Sequence, residues 1–176
     1  GTLVNGPQWV DGKVGKALNF DGVDDYVDIG NAINLANKSF SWSAWVKKTD
    51  LDDTKYYFVL GQQGPGYNNR KLHIGFRKYV QRFSFGFFGN DLDTPIQYLG
   101  PQNWQFWSGT YNSQTKERKI YLNGILVAQD VSSSDYLGSG YIWIGSIPDS
   151  WGDTRYFLGL IDEVKIYNRA LSDQEI

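Results

Sequence analysis

Cysteine and methionine are both missing from this chain of 176 residues, histidine occurs once and glutamate only three times. Each absence removes a chemistry. Without cysteine there is no disulfide, no thiol nucleophile and no thiolate metal ligand. His73 stands alone, with no Gly-x-Ser-x-Gly elbow, no zinc-type His/Cys cluster and no glycine-rich phosphate loop ahead of a helix. No apolar run is long enough to cross a bilayer as a helix, so membrane insertion is not expected. The formal charge of −2 gives no basic stripe of the kind nucleic-acid binders carry. Methionine is absent even at position 1, which fits a module cut from a longer, multidomain chain or a processed product. A signal peptide removed in processing would leave no trace.

What is present is aromatic and patterned in short runs. Hydrophobic residues make up 41% of the chain and aromatic residues 16%. That is too apolar for a disordered chain, and the length suits one domain, residues 1–176, with a single core. Alternating runs between Gly, Asn and Asp read as strands over 40–46, 56–60, 72–77, 82–88, 106–111, 119–122, 125–128, 141–145 and 160–167. Asn123-Gly124 between two of them is the preferred two-residue hairpin turn, because both positions need positive φ. About a dozen strands, with 20 glycines for turns, imply an all-β sandwich of two antiparallel sheets, a jelly roll rather than a closed barrel. The pattern Ser172-Asp-Gln-Glu175 is a capping box, which predicts a short helix beginning at a module boundary.

Four segments carry a resemblance: GKALNFDGVDDYV from Gly15, FSWSAWVK from Phe40, IYLNGILV from Ile120 and FLGLIDEVKIYNRALS from Phe157. In this order they resemble laminin-G-like domains of the concanavalin A-like lectin and glucanase superfamily, in its bacterial branch, from about Lys13 to the end. The resemblance implies a two-sheet jelly roll, typically secreted or at the cell surface and often appended to larger enzymes or surface proteins. It also implies binding of glycans or extracellular proteins, and in many members a calcium ion.

The aspartates bear on that ion. Asp21, Asp24, Asp25 and Asp28 crowd around Gly22, and Asp162 interrupts an apolar strand. Read by alternation, Leu160, Asp162, Val164 and Ile166 share one face, where an unpaired carboxylate is expensive to bury. The turn offers carboxylates and carbonyls, the hard oxygen ligands calcium prefers. In the family the strand before this turn lies near the C-terminal strand, so the resemblance implies a structural calcium held by Asp21, Asp24 and Asp162. The alternative is that the turn aspartates are surface residues and Asp162 is held by backbone N–H groups. A rim site at Asp149 and Asp153 is a further option.

Catalysis finds no footing. A retaining glycosidase needs two carboxylates about 5–5.5 Å apart, and the glucanase branch carries Glu-x-Asp-x-Glu on one strand. Here Glu117, Glu163 and Glu175 are far apart, and the adjacent pair Asp162-Glu163 points to opposite sheet faces. The expectation is a non-catalytic carbohydrate-binding module, with an adhesion, protein-interaction or spacer domain as the alternative.

Binding residues are sought on the hairpin 72–88 and on three loops. Leu72, Ile74, Phe76, Phe83, Phe85 and Phe87 form the core set. The opposite set, with His73, Arg77, Arg82 and Phe88, offers fixed donors and an aromatic ring suited to a sugar, with Gly75 and Gly86 letting a ligand approach the backbone. An ordinary solvated face is the alternative. The loops 64–70, 89–94 and 148–155 add Tyr67, Asn69, Asn90, Asp91 and Trp151, since function in sandwich folds often sits on loops. A Trp151 that tucks back under its loop is the plainer reading.

Overall fold

A computed structural model describes residues 1–49, 54–64, 68–80, 82–95, 103–148 and 155–176. The first strands are β1 (Thr2–Val4), β2 (Gln8–Asp11), β3 (Lys16–Asp21), β4 (Tyr26–Gly30), β5 (Phe40–Lys48), β6 (Tyr57–Gln62) and β7 (Leu72–Phe76). They are followed by β8 (Phe83–Gly86), β9 (Asp91–Asp93), β10 (Gln105–Tyr111), β11 (Glu117–Leu122), β12 (Ile125–Val131), β13 (Ile142–Ile144) and β14 (Leu158–Tyr167). Sheet A runs β1-β4-β13-β6-β7-β8-β9 and sheet B runs β12-β11-β10-β5-β14-β3-β2, with every neighbour antiparallel. This is the two-sheet antiparallel sandwich of the jelly-roll kind, and no helix occurs among the described residues.

Alternation places the core as expected. On the β7–β8 hairpin, Leu72, Ile74, Phe76, Phe83, Phe85 and Phe87 are all buried between the sheets. From sheet B they meet Phe40, Trp42, Trp107 and Tyr111. Phe83 stacks on Trp107 with centroids 3.9 Å apart and rings 6° from parallel, while Phe85 meets Phe40 and Trp42 edge-on. Each such ring contributes roughly 1.5–3 kcal/mol by leaving water. Asn123 (φ 52°) and Gly124 (φ 79°) adopt the expected hairpin turn.

One buried cation crosses the core. Arg118 on β11 is 1% exposed. Its Nη2 donates to Asp130 Oδ2 at 2.6 Å, its Nη1 to the Asn90 carbonyl at 2.7 Å, and its guanidinium lies 4.8 Å from the Phe87 ring centroid. It ties the β11–β12 edge of sheet B to the β8–β9 turn of sheet A.

At the C-terminus the capping box forms without a helix. The Ser172 N–H and hydroxyl both donate to Glu175 Oε2 at 3.0 Å, and the Glu175 N–H closes one turn onto the Ser172 carbonyl.

Candidate functional site

The outer face of sheet A is built from cross-strand rows. Asp28 opposes Trp143, Trp143 opposes Gly61, Gly61 opposes His73, His73 opposes Gly86 and Gly86 opposes Asp91. The next row is Phe58, Gly75, Ser84 and Asp93. Because directly opposed residues share a face, the rows gather a histidine, carboxylates and aromatic rings from six strands. Arg77, just past β7, then reaches back with Nη1 to Asp93 Oδ2 at 3.0 Å and Asp91 Oδ2 at 3.4 Å.

A pocket of about 280 Å³ opens over these rows. Its polar lining is Lys71, His73, Arg77, Asp91 and Arg155, and Tyr56, Phe58, Phe88 and Ile147 form the walls. His73 Nε2 lies 3.2 Å from Asp91 Oδ1, near enough to pair electrostatically without an aligned hydrogen bond. Burial pushes the Asp91 carboxyl up, but the His73 ring and the charges of Arg77 and Arg118 outweigh it and hold the group below the ordinary carboxylate range. The Lys71 ammonium lies 5.5 Å from the Phe88 centroid, and the Arg155 guanidinium 5.7 Å from that of Tyr56.

The pocket brings together four of the residues sought from sequence, His73, Arg77, Phe88 and Asp91. Arg82 is exposed and does not line it. Asn69 and Asn90 meet each other instead. Asn90 Nδ2 donates to Asn69 Oδ1 at 2.7 Å and to Ser132 Oγ at 2.9 Å, and Asn90 Oδ1 accepts from Arg118. Their amides close the edge of the sandwich, because a buried guanidinium needs acceptors. Tyr67 and Trp151, like Asp149 and Asp153, lie outside the described residues.

The two glycines have a different use from the one expected. A Cβ on Gly86 would sit 2.0 Å from His73 Nε2, and one on Gly75 would sit 2.2 Å from the Tyr57 carbonyl oxygen. Protein atoms, not a ligand, fill both spaces. Tyr56 was read as the first residue of a strand and lies just ahead of β6, while Lys71 and Arg155 carried no signal in periodicity.

A second cluster sits at the β3–β4 turn, where carboxylate oxygens of Asp21, Asp24 and Asp25 lie within 4.8 Å of one another. Asp21 Oδ1 accepts from the Val23 and Asp24 N–H groups, and Asp25 Oδ2 from the Asp21 N–H. Asp25 is buried, and burial, with the negative charges of Asp21 and Asp24, raises its pKa although the backbone bond opposes this. An all-oxygen donor set whose charges oppose one another fits a hard cation such as calcium.

Asp162 is not part of that cluster. Leu158 opposes Asp21 and Ile161 opposes Leu18, so Asp162 falls beside Ala17, four residues down β3. That is about 13 Å at ~3.3 Å per residue. Asp162 Oδ2 instead accepts the Val14 N–H at 2.9 Å. It also does not share a face with Ile166. A bulge between Asp162 and Lys165, with Glu163 at φ 49°, shifts the register against β5, so Asp162 opposes Trp45 on the outside while Ile166 opposes core Trp42.

Fold and site together define a lectin-type β-sandwich with a pocket on one outer face, and the comparisons with known proteins agree on the class. Residues 21–176 match the family model described as the concanavalin A-like lectin/glucanases superfamily, of laminin-G type. The chain belongs to this family. No curated protein sequence matches it. Among solved structures, domain 4 of AbnA is similar, with TM-score 0.76, 20% identity and 99% of this chain covering 79% of that one. That protein is a GH43 extracellular arabinanase from Geobacillus stearothermophilus, in complex with arabinotriose. The binding domain of Paraclostridial Mosquitocidal Protein 1 is also similar (TM-score 0.74, 17% identity), with 99% of this chain spanning 45% of that one. So is the binding domain of botulinum neurotoxin DC in complex with SialylT (TM-score 0.72, 16% identity, 99% of this chain and 44% of that one). At these identities the likeness is one of fold.

Proposed function

We propose that this domain is a non-catalytic carbohydrate-binding module of a secreted or surface protein, and that its site is the pocket on sheet A. The observation that carries the reading is the convergence of Arg77, His73 and Asp91 with Phe58 and Phe88 in one concavity. Fixed donors and acceptors meet a sugar's hydroxyls, and rings meet its apolar face. Similar folds in complex with arabinotriose and with SialylT support the ligand class, and the arabinanase domain supports a role beside other domains in one chain.

The carboxylates argue against hydrolysis. Asp91 and Asp93 both face Arg77, and a carboxyl held below its ordinary range is a poor general acid. Calcium at Asp21, Asp24 and Asp25 is the structural part of the reading: the carboxylates would hold the ion and relieve their mutual repulsion. The alternative is a protein-binding or spacer domain.

A glycan array on the intact domain, read with and without Arg77→Ala, tests the proposal. Binding lost in the variant with its β-sheet circular dichroism intact supports it. Silence across plant, algal and animal glycans together with capture of a defined protein partner would replace it with the alternative.

A further inference from the structure

At one edge of the sandwich, side chains that face the core have no cover. Trp9 on β2 opposes Leu18 on β3, and Leu18 opposes the core residue Ile161 on β14. On the other sheet Leu3 on β1 opposes core Val27 on β4. Directly opposed residues share a face, so Trp9 and Leu3 both stand on the inner faces of their sheets. Yet Trp9 is 62% exposed and Leu3 40%. Both lie on edge strands, β2 of sheet B and β1 of sheet A. At the opposite edge Arg118 closes the sandwich by joining Asn90 and Asp130. Here a cavity of about 340 Å³ is left instead. Its floor is buried core, Phe20, Val27 and Ile161, and Leu3 and Trp9 are its lips. Lys16 and Glu163 are exposed and bring polar atoms only to the rim. Asp162 also reaches it, with its Oδ2 engaged by the Val14 N–H.

Size decides what can fill this space. Small-molecule pockets begin at roughly 300 Å³, so the cavity holds one or two rings and no strand or helix. Stacked sheets lie about 10 Å apart, which makes it a slot and favours a flat occupant. Trp9 offers a ring at the mouth and Phe20 a ring at the floor. We infer that this slot binds a small aromatic molecule of one or two rings carrying one polar substituent. The ring enters between Trp9 and Phe20, and the substituent stays at the rim by Lys16 and Glu163. An apolar cavity accepts such a ligand because its lining gains contacts that an empty space cannot supply. The site is separate from the His73 pocket and does not rest on the carbohydrate reading.

The experiment is calorimetric titration of the intact domain with 2-naphthol, and with decahydro-2-naphthol as its non-aromatic match. Saturable one-site binding of 2-naphthol is expected, with the saturated match weaker by about threefold to tenfold. Trp9→Ala should weaken 2-naphthol by about tenfold or more, and an exposed edge residue can be removed with the fold kept. If that variant fails to fold, amide chemical-shift mapping on the unchanged domain decides. Shifts at Leu3, Trp9, Leu18 and Ile161, with His73 and Asp91 still, support the slot. Non-saturating binding, equal affinity for the two probes, or shifts centred on His73 would overturn it. So would a dimer in sedimentation that Trp9→Ala dissolves, since a second copy would then cover this edge.

Discussion

The outer faces of the two sheets begin from the same pattern of alternating polar and aromatic residues and end differently. On sheet B the chain covers its own surface. Ser41 Oγ donates to the Arg169 carbonyl and accepts from the Leu171 N–H, both at 2.9 Å, and Tyr121 donates to Asp173 at 2.6 Å. At the other end Val14 donates to Asp162, and Lys13 sits 5.0 Å from the Trp45 centroid. On sheet A the rows through His73 and Phe58 keep a pocket walled by aromatic rings, whereas the hollow left on sheet B is lined by Thr110, Glu117, Lys119 and the tail itself, with no ring. A polar-aromatic outer face is therefore not a site by composition. It becomes one where the chain leaves its donors facing a concavity.

The largest expected effect tests the frame that holds the pocket's rim. Arg118→Ala leaves Asp130 and the Asn90 carbonyl without their buried cation, and should destabilise the fold by about 3 kcal/mol or more. Denaturant unfolding measures it. A loss below about 1 kcal/mol would mean that the guanidinium is not what ties the two sheets at this edge.

Gly86→Ala acts on one face only. The new methyl would displace the His73 ring from its place beside Asp91. A stability cost of about 1–3 kcal/mol is expected from overpacking, with ligand binding lost while the sheet B tail is unchanged. Retained affinity in a folded Gly86→Ala chain would move the binding site elsewhere.

Chelation separates the two aspartate sites. A cation bound only by the folded state at about 100 times its Kd adds roughly 2.7 kcal/mol, so a chelator should lower the Tm by several degrees. Asp24→Asn should abolish that chelator shift. Asp162→Asn should lower the starting Tm yet leave the shift in place, because Asp162 serves the Val14 N–H. Loss of the shift in Asp162→Asn alone would contradict this assignment.

The smallest effect is in acid, at the tail covering sheet B. Hydrogen bonds from Arg169 and Ser172 bring the Glu175 carboxyl down to about 2 from its ordinary 4.5. A depressed carboxylate stabilises the folded form above its unfolded pKa, and that contribution fades as the pH falls from about 4.5 towards 2. Amide exchange at Leu171 and Ser172 should therefore quicken across that window before the core opens. Unchanged protection down to pH 2 would show that Glu175 does not hold the tail.

Much of the fold was legible because a buried face imposes period two. The hairpin 72–88 sorted correctly into core and outer sets, and Asn123-Gly124 named its own turn. The strand list from alternation left out β1 to β4 and β9; of these, β1, β2 and β9 are three of the four at sheet edges, where residues such as Leu3 and Trp9 stay exposed and alternation has nothing to enforce it. The C-terminal strand misled because one extra residue at the Glu163 bulge reverses every face that follows. The site was half legible. His73, Arg77 and Asp91 could be read from an outer face and an adjoining loop. Asn69 and Asn90 looked like loop donors, and only the buried Arg118, invisible in any local pattern, explains where their amides go. Lys71 and Arg155 join the pocket through packing of segments far apart in sequence, which no spacing rule encodes.

The proposed function depends on a glycan entering the uncovered face of sheet A. Amide chemical-shift mapping with the tightest glycan from the array tests it most directly. Perturbations are expected at His73, Gly86, Phe88 and Asp91, with Ser172 to Glu175 and the Asp21 turn unmoved. Perturbations centred on the sheet B tail or on the β3–β4 turn, with His73 and Asp91 silent, would contradict it.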